Sequence, residues 1–264
     1  MAKPPGRCIF CERTGLTKEH VFPDWLNSLY PKRPYNKRER LRAFDPNKQT
    51  DEVVLESARI HQGGPANRKV RVVCSKCNVG WMARLQESAK PVLTPLIRGD
   101  TCSIEPNAQR LIATWAAVIA STAEYVQPTT PHVIESHDRD YLWRNRAPPE
   151  DWQIWIGHYI GTEKALWYEQ FRFALSLKKS LPVPLKVAPG INTLVTTMVF
   201  GKLYLYVFSS ALDGIGSLRL RQHLHPIWPL SGTDISWPLS VGLSDGDRIS
   251  LRTRLLTQLK VSSY

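Results

Sequence analysis

The sequence predicts an α+β chain, in which a metal-stapled N-terminal module and a helical segment precede a mostly antiparallel β part. Three observations support this prediction. Two Cys-x-x-Cys pairs, "CIFC" and "CSKC", lie in the N-terminal part, an apolar stripe of helical period runs through residues 106–126, and apolar and polar residues alternate after about residue 150. We therefore divide the chain into residues 1–100 and an α+β accessory part of unassigned role, residues 101–264.

In the N-terminal part, "HVF" at residues 20–22 is a short predicted strand, and "DWLNSLY" is a turn of helix. Residues 31–66 are rich in Pro, Gly, Asn and charge, which predicts mostly loop, with "EVVLESARI" as one strand inside it. Residues 78–97 have helical spacing, and Pro91 and Pro95 are expected to break or kink that helix.

Residues 106–126 give the clearest helix, which Pro128 and Pro131 end. Beyond residue 150, "WQIWIGHYI" and "FRFALSL" alternate as strands. The run "TLVTTMVFGKLYLYVFSS" predicts a hairpin that turns at Gly201 and Lys202. The Pro-Trp segments "HPIWPL" and "SWPL" indicate extended chain at a sheet edge.

Composition places the chain among globular proteins. At 264 residues, with 42% apolar residues and nine Trp, it can bury a large core. It contains no run of about 18 apolar residues, and its first residues lack an apolar signal-peptide region. We therefore expect a cytoplasmic protein with no membrane partner.

The formal charge of +12 is concentrated in the N-terminal part. Residues 1–100 carry 19 Lys and Arg against 10 Asp and Glu, which is +9, and the remaining residues carry 16 against 13, which is +3. A concentrated positive field predicts a nucleic-acid partner and salt-dependent binding, although a solvated basic face explains charge alone equally well. The basic run 32–42 could grip a phosphate backbone while Tyr35 stacks on a base; a solvated loop is the alternative.

The two Cys-x-x-Cys pairs predict a structural zinc site. Zinc takes four thiolates in a tetrahedron, and two tight turns supply them as Cys8, Cys11, Cys74 and Cys77. The 62 residues between the pairs exceed the spacing of a zinc ribbon, so the ion closes a long loop. Coincidental free thiols are the alternative, and Cys102 has no partner in the sequence.

Closure of that loop should bring Glu19 and His20 close to Asn78. Side-chain oxygens from the acid and the amide could hold a hard divalent cation, and the imidazole could accept a proton, which is the equipment for hydrolysing a phosphodiester. The structural alternatives are a His20 that packs under the zinc site or is simply exposed, and an Asn78 that caps the following helix.

These motifs, in the order C-x-x-C, "EHVFP" and "CSKCNVGWM", resemble the HNH, or ββα-metal, endonucleases, in the four-Cys zinc subgroup found in many phage and mobile-element proteins. The resemblance covers roughly residues 7–90. It implies a ββα-metal fold, a structural zinc ion, and a catalytic Mg or other divalent cation bound by Glu19 and Asn78. It also implies that His20 is the general base, that Asn67 orients the His20 loop, and that the substrate is DNA, cut to 5′ phosphate and 3′ hydroxyl ends.

The sequence departs from the family pattern at three places. The first metal ligand is Glu19 where Asp is commoner, Trp81 and Met82 stand where many relatives carry His or Lys, and the loop between the motif halves is long. Two other functions stay open: a non-catalytic zinc-stabilised module that binds nucleic acid or protein, and a nuclease that acts on RNA or as a toxin.

Overall fold

A computed structural model of the chain describes residues 6–29, 36–43, 53–62, 68–126, 130–162, 166–173, 191–212 and 223–258. For residues 36–43, 53–62, 173 and 252–258 it describes the backbone alone. The described residues form a mixed α+β fold with four α-helices, and its strand pairs are antiparallel except for one short parallel pair. The α+β prediction is confirmed at this level.

In chain order, the strands of the described residues are β1 (Leu16–His20), β2 (Asn36–Ala43), β3 (Val53–Gln62), β4 (Lys69–Cys74), β5 (Cys102–Ile104), β6 (Gln153–Tyr159), β7 (Leu166–Phe173), β8 (Thr193–Phe200), β9 (Leu203–Ser210), β10 (His225–Trp228), β11 (Ile235–Trp237) and β12 (Gly242–Leu243). The helices are α1 (Ala83–Arg98), α2 (Pro106–Ala123), α3 (Ser136–Asn145) and α4 (Asp245–Gln258), with 3-10 turns at Asp24–Ser28 and Glu124–Val126 and a π-helical segment at Cys77–Met82.

The main sheet has the order β10-β6-β9-β8-β7, and β12 pairs with the end of β6. One face carries mainly aliphatic residues and packs against α1 and α2, in a core that continues into the N-terminal part, where Cys8, Cys74 and Cys77 are buried. The opposite face is aromatic, and its largest buried side chains are Trp155, Tyr159, Trp167, Tyr204, Tyr206 and Phe208. Because both faces are covered, β8 and β9 are buried along their whole length.

Phe22 joins the N-terminal part of the chain to the main sheet. Its ring lies 5.1 Å from Tyr168 on β7 and 5.6 Å from Phe200 on β8, centroid to centroid, in edge-to-face contacts. Phe200 also meets Trp115 of α2 at 5.1 Å. The chain just after β1 is therefore held against the sheet by an aromatic cluster.

Helix α1 continues through both Pro91 and Pro95, so of the two predicted effects, a break or a kink, the break does not occur. Each proline removes one backbone hydrogen bond. Leu93, Leu96 and Ile97 are nevertheless buried in the core, and α1 packs closely on α2. Apolar burial thus outweighs the lost hydrogen bonds.

The region predicted as loop contains a β-hairpin. β3 covers the predicted strand "EVVLESARI", but β2 was not predicted, and the two strands pair antiparallel from Asn36 opposite Gln62 to Ala43 opposite Val53. Strand β1 also ends at His20, where the predicted strand begins. The predicted helix at 106–126 and the β8–β9 hairpin turning at Gly201 and Lys202 are confirmed.

None of the helices in the described part of the chain is both long and apolar enough to cross a membrane.

Gly201 offers a test of the β8–β9 turn. Its φ is +56°, and an added Cβ would lie 2.4 Å from the Ile97 carbonyl oxygen, the same oxygen that accepts a hydrogen bond from the Lys202 amide. We expect Gly201→Ala to lower the free energy of unfolding by about 2–4 kcal/mol, because backbone strain adds to a clash with backbone. Urea unfolding followed by circular dichroism measures this.

Gly232→Ala is the matched control, because Gly232 also has a positive φ, +78°, but no atom lies within 4 Å of its added Cβ. Gly232→Ala should lower the free energy of unfolding by about 1 kcal/mol. If both variants lost the same free energy of unfolding, the close approach of Gly201 to the Ile97 carbonyl oxygen would be contradicted.

Candidate functional site

The four predicted thiols form one cluster. The sulfur atoms of Cys8, Cys11, Cys74 and Cys77 all lie within 4.8 Å of one another, and Cys11 Sγ is 3.5 Å from Cys74 Sγ and 3.4 Å from Cys77 Sγ. A zinc ion with bonds of about 2.3 Å to four sulfurs requires sulfur-sulfur distances of about 3.8 Å. The cluster therefore fits a structural zinc ion, and Cys102 lies outside it.

Backbone hydrogen bonds hold the first Cys turn in place. The Cys8 amide donates to the Arg13 carbonyl at 2.8 Å, and the Glu12 amide donates to the Cys8 carbonyl at 2.9 Å. The Ile9 amide donates to the Val72 carbonyl of β4 at 2.9 Å, which ties this turn to the strand that ends at Cys74. The turn is thus anchored on the element that supplies the second Cys pair.

The pKa values of the clustered thiols indicate that a cation would stabilise their ionised forms. A hydrogen bond with Cys77 lowers the pKa of Cys8 to about 4, and the same contact, together with burial, raises the pKa of Cys77. Ionisation of Cys8 therefore makes ionisation of Cys77 less favourable. All four can ionise together only when a positive ion compensates their charges.

Trp81 belongs to the core around the thiols and does not replace a metal ligand. Its ring is buried, and it meets Phe10 edge to face at 5.2 Å. The Arg146 guanidinium lies 4.6 Å from the Trp81 centroid, a cation–π contact from the residue that follows α3. Met82 is buried in the same core.

The register of β1 and β4 fixes where Glu19 and His20 stand. Glu19 is opposite buried Val70, and His20 is opposite exposed Lys69. Residues directly opposite in an antiparallel pair share a face. Glu19 therefore lies on the buried side of this two-stranded sheet, and His20 lies on the exposed side at the end of β1.

A β-bulge separates Glu19 from Thr17. Thr17 is opposite Val73, so a single residue of β1, Lys18, faces two residues of β4, Arg71 and Val72. A bulge bends the strand and redirects its side chains. Thr17 and Glu19, which are paired with buried valines, thus both lie toward the core side.

Asn78 reaches β1 from the π-helical segment. Its Nδ2 donates to Thr17 Oγ1 at 3.1 Å and to the Lys18 carbonyl at 3.5 Å. Asn78 lies inside that segment, and its side chain bonds the strand, so the prediction that it caps the helix is wrong. The amide joins the strand that carries Glu19 and His20, and its Oδ1 accepts no hydrogen bond within the described residues.

Glu19 is a half-buried acid without a compensating charge. Burial raises the pKa of Glu19 from its ordinary 4.5 to about 7, and no described residue forms a hydrogen bond or ion pair with its carboxylate. A carboxylate in that position gains from a bound cation.

The other predicted site residues are only partly described. Asn67 lies outside the described residues, as does Tyr35, and the side chains of the basic run within β2 are not described. Among the residues that the structure does describe, the four thiols are the one group of three or more His, Cys, Asp or Glu side chains that could hold a metal.

The fold and the cluster define a mixed α+β protein with a four-thiol metal site. Comparisons with models of known protein families, with curated proteins and with solved structures found no match.

Sequence reasoning missed two residues of the site. Thr17 accepts the Asn78 hydrogen bond, and alternation along β1 could have placed it on the same face as Glu19. Arg146 contacts Trp81, which is 65 residues away in sequence, and no local sequence pattern predicts that contact.

Zinc content is the first test of the thiol cluster. We expect the purified protein to carry one zinc ion per chain and Cys74→Ser to lose it, because a hydroxyl is a poor zinc ligand. Elemental analysis after gel filtration measures this. Cys102→Ser is the control and should keep its zinc, so zinc loss in that variant, or full retention in Cys74→Ser, would refute the four-thiol assignment.

Glu19 should make stability depend on pH. Since its folded pKa of about 7 exceeds its ordinary 4.5, the stability contributed by the protonated form is complete below pH 4.5 and is lost as the pH rises through 7. Glu19→Gln removes this loss, and we expect it to be about 1–3 kcal/mol more stable than the wild type at pH 8.

Urea unfolding of zinc-loaded protein, without magnesium, at pH 5 and pH 8 measures the difference. Glu87→Gln, on the exposed surface of α1, is the matched control. If Glu19→Gln raised the free energy of unfolding at pH 8 no more than Glu87→Gln does, the burial of an uncompensated acid at Glu19 would be disproved.

Proposed function

We propose that the chain is a zinc-stabilised endonuclease of the HNH type, which hydrolyses DNA phosphodiester bonds with a divalent cation. The observation that carries this proposal is the hydrogen bond from Asn78 Nδ2 to Thr17 Oγ1 at 3.1 Å. It joins the residue after the last Cys of the cluster to the strand that bears the acid-His pair, the two segments that the resemblance predicts to be neighbours. The strands β1 and β4, followed by the π segment and α1, support the same assignment.

The residues present fit a hard divalent cation. Glu19 supplies a carboxylate that lacks a partner among the described residues, and Asn78 Oδ1 supplies a neutral oxygen. Mg²⁺ is commonly held by one or two protein oxygens together with water and substrate phosphate. When bound, such an ion would neutralise the scissile phosphate and the leaving oxygen.

His20 performs the proton transfer in this proposal. The imidazole accepts a proton from a water molecule as the water oxygen bonds to phosphorus, and the bond from phosphorus to the 3′ oxygen breaks. The leaving oxygen takes a proton from solvent, which yields a 5′ phosphate and a 3′ hydroxyl. His20 lies at the end of β1, opposite exposed Lys69, on the side of the strand pair that carries Lys18 and Arg71.

A zinc-stabilised binding module without catalysis is the second candidate. One observation favours it: Glu19 and His20 are paired with a buried and an exposed residue respectively, and so lie on opposite faces of the strand pair. A nuclease then needs the phosphate to reach both faces around the end of β1.

A plasmid cleavage assay tests the nuclease proposal. The wild type should nick supercoiled DNA in the presence of Mg²⁺, Mn²⁺ or Ni²⁺ and not in their absence, and His20→Ala should lower the rate by about 10²–10⁴-fold. The metal is omitted rather than chelated, because a chelator would also compete for the structural zinc. His137→Ala is the control, since that side chain is 73% exposed on α3.

Cleavage that persists in His20→Ala would exclude His20 as the base. Binding of DNA without cleavage under any metal would favour the binding module, and cleavage of RNA alone would redirect the proposal to an RNA substrate.

A further inference from the structure

One face of the β1–β4 pair carries three exposed basic residues. Lys69 and Arg71 are exposed on β4, two residues apart and so on one face, and Lys18 is exposed on β1 opposite Arg71 and Val72. We call these three residues, Lys18, Lys69 and Arg71, the basic face. His20 lies beside it, because it is paired with Lys69.

The basic face contains no carboxylate. Glu19 is the one acid in β1 and β4, and it is paired with buried Val70 on the other side. Arg71 donates one Nη1 hydrogen bond to the Leu16 carbonyl at 3.1 Å, which orients its guanidinium across the two strands and leaves its other donors for a ligand. The positive charges are therefore not neutralised within the face.

The charge density of the basic face matches that of a nucleic-acid backbone. Lys69 and Arg71 are about 7 Å apart along the strand, and Lys18 is about 5 Å away on the neighbouring strand. Each strand of double-stranded DNA carries one phosphate per about 3.4 Å of axis, or about two over the same 7 Å. Three cations in this area therefore complement the phosphates of a duplex.

The sequence segments around β1 and β4 also carry a net positive charge. Residues 6–29 and 68–84 hold eight Lys and Arg against three Asp and Glu, a net +5.

We propose that the basic face binds the phosphate backbone of duplex DNA and guides it to His20. This inference rests on the proposed nuclease function for its substrate, but it concerns binding alone. Each Lys or Arg that neutralises a phosphate releases a counterion, so the contribution of each residue appears in the salt dependence of affinity.

The experiment measures binding of a 30-base-pair duplex by fluorescence anisotropy at several KCl concentrations, without magnesium so that cleavage does not interfere. The full-length triple variant Lys18→Gln, Lys69→Gln, Arg71→Gln should bind about 10-fold more weakly or worse at low salt. The slope of log K against log salt should fall in magnitude by about 3.

The matched control removes the same charge elsewhere: Lys90→Gln, Arg98→Gln, Lys202→Gln, all exposed. Arg98 ends α1, which is 16 residues or about 24 Å long, and the Lys202 amide bonds Ile97 beside it. In this control, the slope of log K against log salt should stay within about 1 of the wild-type slope.

Equal losses in the two triple variants would overturn the proposal, because net charge rather than the basic face would then govern binding. A wild type that does not bind duplex DNA, or that binds RNA of the same sequence more tightly, would also overturn it. Failure of the nuclease proposal is distinguishable: cleavage would be absent while the binding loss remained specific to the basic face.

Discussion

The four-thiol cluster is the constraint on which the N-terminal half depends, because it joins two turns that are 62 residues apart in sequence. Zinc binding supplies about 10–16 kcal/mol in zinc-finger peptides, enough to outweigh the entropy of closing so long a loop. The closure sets β1 beside β4 and the π-helical segment beside β1. The contact between Asn78 and Thr17 is a consequence of that closure, since neither residue is near the other along the chain.

Glu19 weakens the folded state at neutral pH. The burial that raises its pKa to about 7 weakens the folded state at neutral pH, and nothing among the described residues relieves it. The cation proposed to bind Glu19 would relieve this cost. The neighbouring bulge belongs to the same pattern, because it interrupts regular pairing where Thr17 and Glu19 meet the core.

Sequence patterns predicted the features that depend on local spacing. The Cys pairs, helix α2 and the β8–β9 hairpin each have a short signature, and all three are found. The patterns failed where packing outweighs local preference, as in α1, which accommodates Pro91 and Pro95 by burying its leucines. They also failed at β2, whose charged composition resembles a loop, and at Arg146, whose contact with Trp81 joins distant segments.

Phe22 has a consequence for dissecting the protein. Its ring is fully buried against Tyr168 and Phe200, and the aliphatic core runs without interruption from the zinc module into the sheet. A fragment that stops near residue 100 would leave that ring and its neighbours in water, and such surfaces aggregate. The zinc module would need a substitute for the sheet before it could be transplanted to another protein.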